Sequence, residues 1–157
     1  MIFSSVNFIT LALLPPLIAP LLIYIFKSKQ NIRDSIGVIG SLISFYATIN
    51  ITTKLMNGST PELFLFNIFS NLSLSFKVTP IGAVFGLLCS GLWILAAIYS
   101  IGYMRGNNEK NQTRFYIFYS LSIFGALCVA WSSNLLVLFI FYEFLTFATY
   151  PLVVHKE

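Results

Sequence analysis

The residue with the strongest claim to chemistry is Glu143. It lies close to the middle of the apolar run Leu135–Val154. With about nine residues of helix before it, at 1.5 Å per residue, it sits near the centre of a bilayer. Insertion scales put the cost of a central charge at roughly 2.5–3.5 kcal/mol. A membrane helix keeps such a group mainly where it faces a partner or a water-filled path. Removal from water favours the neutral form of a carboxyl group, and a nearby Lys or Arg favours the ionised form. A carboxyl group that can hold both states loads a proton in one and releases it in the other. Thr146 and Tyr150 follow at i+3 and i+7 on the same helical face. Their hydroxyls are placed to bond Glu143 or to hold water beside it. Phe139 and Leu136 continue the face the other way, and Pro151 ends it with an expected local kink. Two readings follow. Glu143, Thr146 and Tyr150 form part of a proton-translocation path, or a protonated Glu143 merely bonds a neighbouring helix.

Other chemistry finds little support. The chain has no phosphate-binding glycine loop, no metal-binding His pair and no Cys-x-x-Cys. No cofactor, no metal site and no catalytic residue is expected, and an enzyme working alone in the membrane would lack a nucleophile–base pair. His155 lies beyond the last apolar run, beside Lys156 and Glu157, and reads as an interfacial residue. Cys89 and Cys128 sit inside apolar runs and read as small buried side chains.

Composition fixes the solvent in which these residues work. Of 157 residues, 57% are hydrophobic and 9% charged, where soluble domains carry about a quarter charged residues. Five stretches are long and apolar enough to span a membrane: about Phe8–Phe26, Ser35–Thr53, Ile81–Met104, Phe115–Trp131 and Leu135–Val154. The first holds Pro15, Pro16 and Pro20, which membrane helices tolerate when neighbours satisfy the freed carbonyls. It lacks a positive n-region and a small-residue cleavage site, so it reads as a retained helix, kinked near Pro15, and not as a signal peptide. Between the second and third stretches, Asn57-Gly58-Ser59 signals a turn. Leu72 to Val78 then alternates apolar and polar, the period of a half-buried strand. A short β-hairpin over the membrane face is expected there, with an interfacial helix as the alternative. The fold class is therefore all-α, integral to the membrane, with about five transmembrane helices and a hairpin between the second and third. The chain divides into residues 1–80, two helices plus hairpin, and residues 81–157, helices three to five.

Short connections at Lys27–Asp34, Arg105–Arg114 and Trp131–Asn134 make successive helices antiparallel neighbours. With the amino terminus outside, Lys27, Lys29, Arg33, Arg105, Lys110, Arg114 and Lys156 fall on the inner side, and only Lys54 and Lys77 outside. That distribution follows the positive-inside rule and places the carboxyl terminus in the cytoplasm. The net charge of +4 then reflects orientation, and no nucleic-acid partner is expected. Gly82, Gly86, Gly91, Ala96 and Ala97 offer small faces for helix packing. Tyr116, Tyr119 and Ser122 form a polar stripe that reads as packing as well. Trp93 sits mid-span and is expected between helices.

Several strings carry a resemblance. Arg114-Phe115-Tyr116, Ser133-Asn134-Leu135-Leu136, Phe141 to Thr146 and Tyr150-Pro151-Leu152-Val153, with Tyr99 to Met104 before them, resemble the antiporter-like membrane subunits. These occur in Mrp-type monovalent cation/proton antiporters, whose D-type member looks nearest, and in proton-pumping NADH:quinone oxidoreductase. The likeness covers most of residues 70–157, and residues before 70 match in pattern alone. It implies an outer amino terminus, an outer-face β-hairpin and location in the cell inner membrane. It also implies that Glu143 pairs with a lysine on a later helix to gate proton movement along a polar axis. That lysine lies outside the present sequence, and family members are about three times as long. Residues 81–157 would then begin a proton-channel repeat that is incomplete here, in a split subunit, a remnant or a fragment. The implied partners are the lipid bilayer, other antiporter or respiratory membrane subunits and the remaining part of the same subunit. The implied function is a monovalent cation/proton antiporter subunit. The alternatives are a non-conducting scaffold or a membrane subunit of NADH:quinone oxidoreductase.

Overall fold

The structure is a computed structural model that describes the backbone of residues 2–69 and 72–154 and the side chains of residues 8–68 and 72–154. Its order is α1 (Ile2–Ile25), α2 (Gln30–Met56), β1 (Glu62–Phe69), β2 (Leu72–Lys77), α3 (Pro80–Gly106), α4 (Gln112–Ala130) and α5 (Leu135–Val153). All five helices are long and apolar enough to cross a membrane. The chain is a multi-pass membrane protein of the expected class, with the hairpin between α2 and α3 where period-two alternation placed it. His155, expected at the interface, lies outside the described residues, as do Lys156 and Glu157.

In a bilayer every backbone group needs a partner inside the protein, and α1 tests that rule hardest. The helix runs through Pro15, Pro16 and Pro20. Pro16 has no N–H, so the carbonyl of Ala12, one turn earlier, loses its helical donor. The Ser44 hydroxyl of α2 supplies the replacement, donating to Ala12 O at 2.8 Å. Ser44 and Ala12 are both fully buried. A polar side chain on one helix thus repairs a proline defect in the next and fixes the register between them.

The small residues act where close approach demands them. Trp131, at the end of α4, is fully buried and donates its indole N–H to Gly82 O at 3.0 Å. A Cβ on Gly86 would stand 2.8 Å from the Trp131 ring, and one on Gly82 2.7 Å from Ala130 O. Glycine at these two positions lets α3 lie against the indole. Trp93 is buried as expected, with its ring over Gly40 of α2. The bundle core therefore joins α1 to α2 and α4, and α3 to α2 and α4.

The hairpin pairs Glu62 with Lys77 and Leu63 with Phe76, in antiparallel register with two irregularities. It also places the start of α5. Lys77 N donates to Trp131 O at 2.7 Å, and Ser133 N donates to Ser75 O at 3.3 Å. Asn134 accepts from Val137 N at 3.0 Å as the N-cap of α5, and its amide donates to Ser73 O at 2.8 Å. One side chain starts the helix and anchors it to β2. At the other end of the bundle, Asn108 and Asn111 take left-handed backbone angles in the α3–α4 loop, a conformation asparagine tolerates better than most residues.

Ser44→Ala is expected to lower unfolding stability in detergent micelles by about 1–3 kcal/mol, because Ala12 O is left buried and unpaired. Ser41→Ala, whose hydroxyl serves only a carbonyl of its own helix, is the control and is expected to cost less than about 1 kcal/mol. Equal effects would show that the proline repair carries no weight.

Candidate functional site

Glu143 stands near the middle of α5 (Leu135–Val153), as its place in the apolar run implied. Its side chain is exposed on the outer surface of the bundle. Thr146 and Tyr150 are exposed on the same face, and Phe139 continues it. Among the described residues, Glu143 has no hydrogen-bond or ion-pair partner. Thr146 does not bond it: its hydroxyl donates to Tyr142 O at 3.1 Å, back to its own helix. The expected hydroxyl partnership therefore gives way to the commoner back-bond of a helical threonine. Pro151 lies inside α5, which runs on to Val153.

The exposure of this face follows from how α5 is held. It packs chiefly against α4, through rings such as Phe124 against Phe141 and Phe144. Gly125 admits Phe144 and Leu145 against α4. Of its membrane-spanning stretch only 11% is buried, against 33% for α2, α3 and α4 and 39% for α1. The helix is thus held on one side and open on the rest of its circumference, and Glu143 points into that open side.

A second charged group sits at the far end of the bundle from the hairpin. The run of polar residues around Arg33 and Asp34 reads in the sequence as the first loop, but α2 begins at Gln30 and carries both inside its first turns. Both are 4% exposed. Arg33 Nη2 lies 2.8 Å from Asp34 Oδ1, and Arg105 Nη2 lies 2.6 Å from Asp34 Oδ2. Arg33 also donates to Gln112 Oε1 at 2.8 Å, and Arg105 to Asn31 Oδ1 at 3.0 Å. Gln112 passes the chain on to Met104 O at 3.0 Å. The Tyr116 ring lies under the Arg33 guanidinium, 5.1 Å away, so the stripe residue Tyr116 acts here through its face. This network ties the ends of α2, α3 and α4 together. It explains how two ions can be buried: each carboxylate oxygen has an arginine, and the guanidinium of Arg33 has further acceptors. The signal available in the sequence was a lone Asp among an excess of cations at helix ends.

No group of three or more His, Cys, Asp or Glu side chains is placed to hold a metal among the described residues. Cys89 and Cys128 are free thiols, and Cys128 is fully buried.

Comparisons with known proteins agree with this fold. Residues 66–116, from the hairpin into α4, match the family described as NADH-ubiquinone oxidoreductase (complex I), chain 5 N-terminus. The chain is 28% identical over 131 residues to the chloroplastic NAD(P)H-quinone oxidoreductase subunit 5 of Chara vulgaris, covering 79% of this chain and 20% of that one. It is 26% identical over 145 residues to the Na(+)/H(+) antiporter subunit A1 of Staphylococcus aureus (strain bovine RF122 / ET3-1), covering 92% of this chain and 18% of that one. Among solved structures it superposes on a chain of the membrane-bound sulfane sulfur reductase, an archaeal respiratory membrane complex. The TM-score is 0.75 at 25% identity, covering 94% of this chain and 23% of that one. The chain is thus similar, in sequence and fold, to antiporter-like and complex I-type membrane subunits, as its strings implied. The antiporter relative is of the A1 type, where the Tyr-Pro-Leu-Val string pointed toward the D type. The chain spans about a fifth of the length of these relatives, and Glu143 lies beyond the residues matched by the family model.

Asp34→Asn is expected to destabilise the fold by about 3–5 kcal/mol, because Arg33 keeps its charge in a buried position without its counter-ion. The double change Arg33→Met with Asp34→Leu is expected to recover most of that loss. Thermal unfolding in micelles separates the outcomes: full stability of the single variant would mean that the ion pair is dispensable.

Proposed function

We propose that this chain is a membrane subunit, or a piece of one, in a monovalent cation/proton antiporter, and that Glu143 contributes its carboxyl group to a proton-translocation path. The observation that carries this reading is the placement of Glu143 on the open face of α5 with no partner among the described residues. A central carboxylate facing acyl chains would cost roughly 2.5–3.5 kcal/mol. That cost is removed when another helix with a cationic group, or a water-filled path, covers the face. In such a place the carboxyl responds to the approach of its partner: a near cation favours the ionised form, and its withdrawal into a dry site favours the protonated one. Alternation between the two moves one proton per cycle. Thr146 and Tyr150 stand on the same face. Tyr150 supplies a hydroxyl to join water along the path, and Thr146 contributes as an acceptor while it donates to its own helix.

The relatives favour this class of function. One is named an Na(+)/H(+) antiporter subunit and others NAD(P)H-quinone oxidoreductase subunits. The same Glu143 role serves a membrane subunit of a respiratory complex, which is the second reading. The orientation follows the positive-inside rule, with the amino terminus outside, the carboxyl terminus cytoplasmic and the location the inner membrane. The partners are other membrane subunits of the same assembly, or a further part of the same subunit.

The test is Glu143→Gln in the complete assembly, reconstituted into vesicles, with sodium/proton exchange followed by a pH-sensitive dye. Exchange is expected to fall to background, at least about a hundredfold if the carboxyl group relays every proton. Glu143→Asp is expected to keep partial exchange. Undiminished exchange in the Gln variant would remove the proton-path role and leave a scaffold.

A further inference from the structure

The charged network at the Arg105 end of the bundle is open to its surroundings on one side. Arg33 and Asp34 are buried, but Arg105 keeps its side chain 41% exposed. Two arginines share one carboxylate, which leaves the cluster with a charge of +1 among its own members. A cleft of about 430 Å³ lies at this point between α2 and α3. Asn31, Asp34, Ser35 and Arg105 line its mouth, with Asp34 paired to Arg105, and Val38, Ile39 and Ile101 line its inner part. Ile39 also lines a second groove of about 410 Å³, between α1 and α2, whose other walls include Leu14, Pro15, Ile18 and Ile43. Two grooves with apolar walls therefore flank α2 and share Ile39, below a polar mouth in which Asp34 offsets Arg105 and behind which buried Arg33 supplies the surplus positive charge of the cluster. The N-terminus of α2 opens beside that mouth, and Lys29 at its cap position leaves the first-turn N–H groups without a side-chain acceptor.

We propose that this surface binds one anionic phospholipid, with its phosphate at Arg105 and Asn31 and its two acyl chains in the grooves on either side of α2. The shape and the charge each contribute. A free phosphate would use the mouth alone and leave both grooves empty. A zwitterionic lipid would fill the grooves but would bring its own cation to a cluster that already has a surplus one. A phospholipid with net negative charge matches both features. The depth is right as well, because Arg105 and Asn31 stand at helix ends, where headgroups lie, and Ile39 stands deeper in α2. The bound lipid would neutralise the cluster and hold α1, α2 and α3 together at this end of the bundle. The proposal is independent of the role of Glu143.

The test uses the protein extracted in its native assembly, stripped of lipid in detergent, and native mass spectrometry to count adducts. Phosphatidylglycerol and phosphatidylcholine with the same acyl chains are offered in equal amounts. Phosphatidylglycerol is expected to be retained about fivefold more, the effect of roughly one basic charge at an anionic headgroup. Asn31→Asp adds a negative charge at the exposed mouth while keeping an acceptor for Arg105, so the fold is retained, and the preference is expected to vanish. Arg105→Lys keeps the charge and is expected to keep the preference. Ile39→Trp blocks the junction of the grooves and is expected to reduce retention of both lipids. Inorganic phosphate is expected not to displace phosphatidylglycerol. Equal retention of the two lipids by the unaltered protein, a preference that survives Asn31→Asp, or displacement by phosphate alone would overturn the proposal.

Discussion

A charged or polar group inside a bilayer must find its partner within protein, because hydrocarbon offers none. That constraint organises the whole chain. Where it is met internally, the elements lock: Ser44 repairs the Ala12 carbonyl freed by Pro16, and Arg33, Asp34 and Arg105 satisfy one another across two helices. Where it is not met internally, at Glu143, the surface around it stays open. The same rule that explains the stable parts of the bundle thus draws attention to Glu143, a mid-helix carboxyl group on an open face.

The two ends of the bundle differ in kind. At one, the hairpin, the α4–α5 turn and Asn134 form a continuous hydrogen-bonded cap in which Ser73, Ser75 and Ser133 take part. Exposed hydrogen bonds of this sort are individually modest, about 0.5–1.5 kcal/mol each, but together they fix where α5 begins. At the other end the ties are ionic, through Arg33, Asp34 and Arg105, and join α2 to α3 and α4. α5 takes no part in that ionic tie. It is positioned from its hairpin end and from α4 alone, which leaves its middle, with Glu143, free to meet another helix.

Much of this was legible in the sequence, for physical reasons. Span length and apolarity are one-dimensional properties, so the five helices could be read directly. The alternation from Leu72 to Val78 reported a strand because side chains on a strand face opposite sides, and β2 runs from Leu72 to Lys77. Gly82 and Gly86 were readable as close-packing positions, although their partner, Trp131, came only with the fold. The position of Glu143 along its helix was legible, but its facing was not. Helical spacing places Thr146 and Tyr150 beside it without saying what lies opposite. The Arg33–Asp34–Arg105 network escaped because Asp34 and Arg105 are 71 residues apart in the chain. A charged pair at the edge of an apolar run looks like a loop until a third charge from another helix is known to reach it. The repair of Ala12 by Ser44 was hidden in the same way.

If Glu143 serves a proton path, the α5 face around it is covered by protein or water in the working assembly, and not by acyl chains. Spin labels at Thr146 and Phe139, one turn to either side of Glu143, measure this through collision with oxygen, which concentrates in lipid, and with a water-soluble nickel chelate. In the native assembly low oxygen collision is expected at both positions, with nickel access at Thr146 if a hydrated path passes there. High oxygen collision with no nickel access at both positions would place this face in hydrocarbon and contradict it.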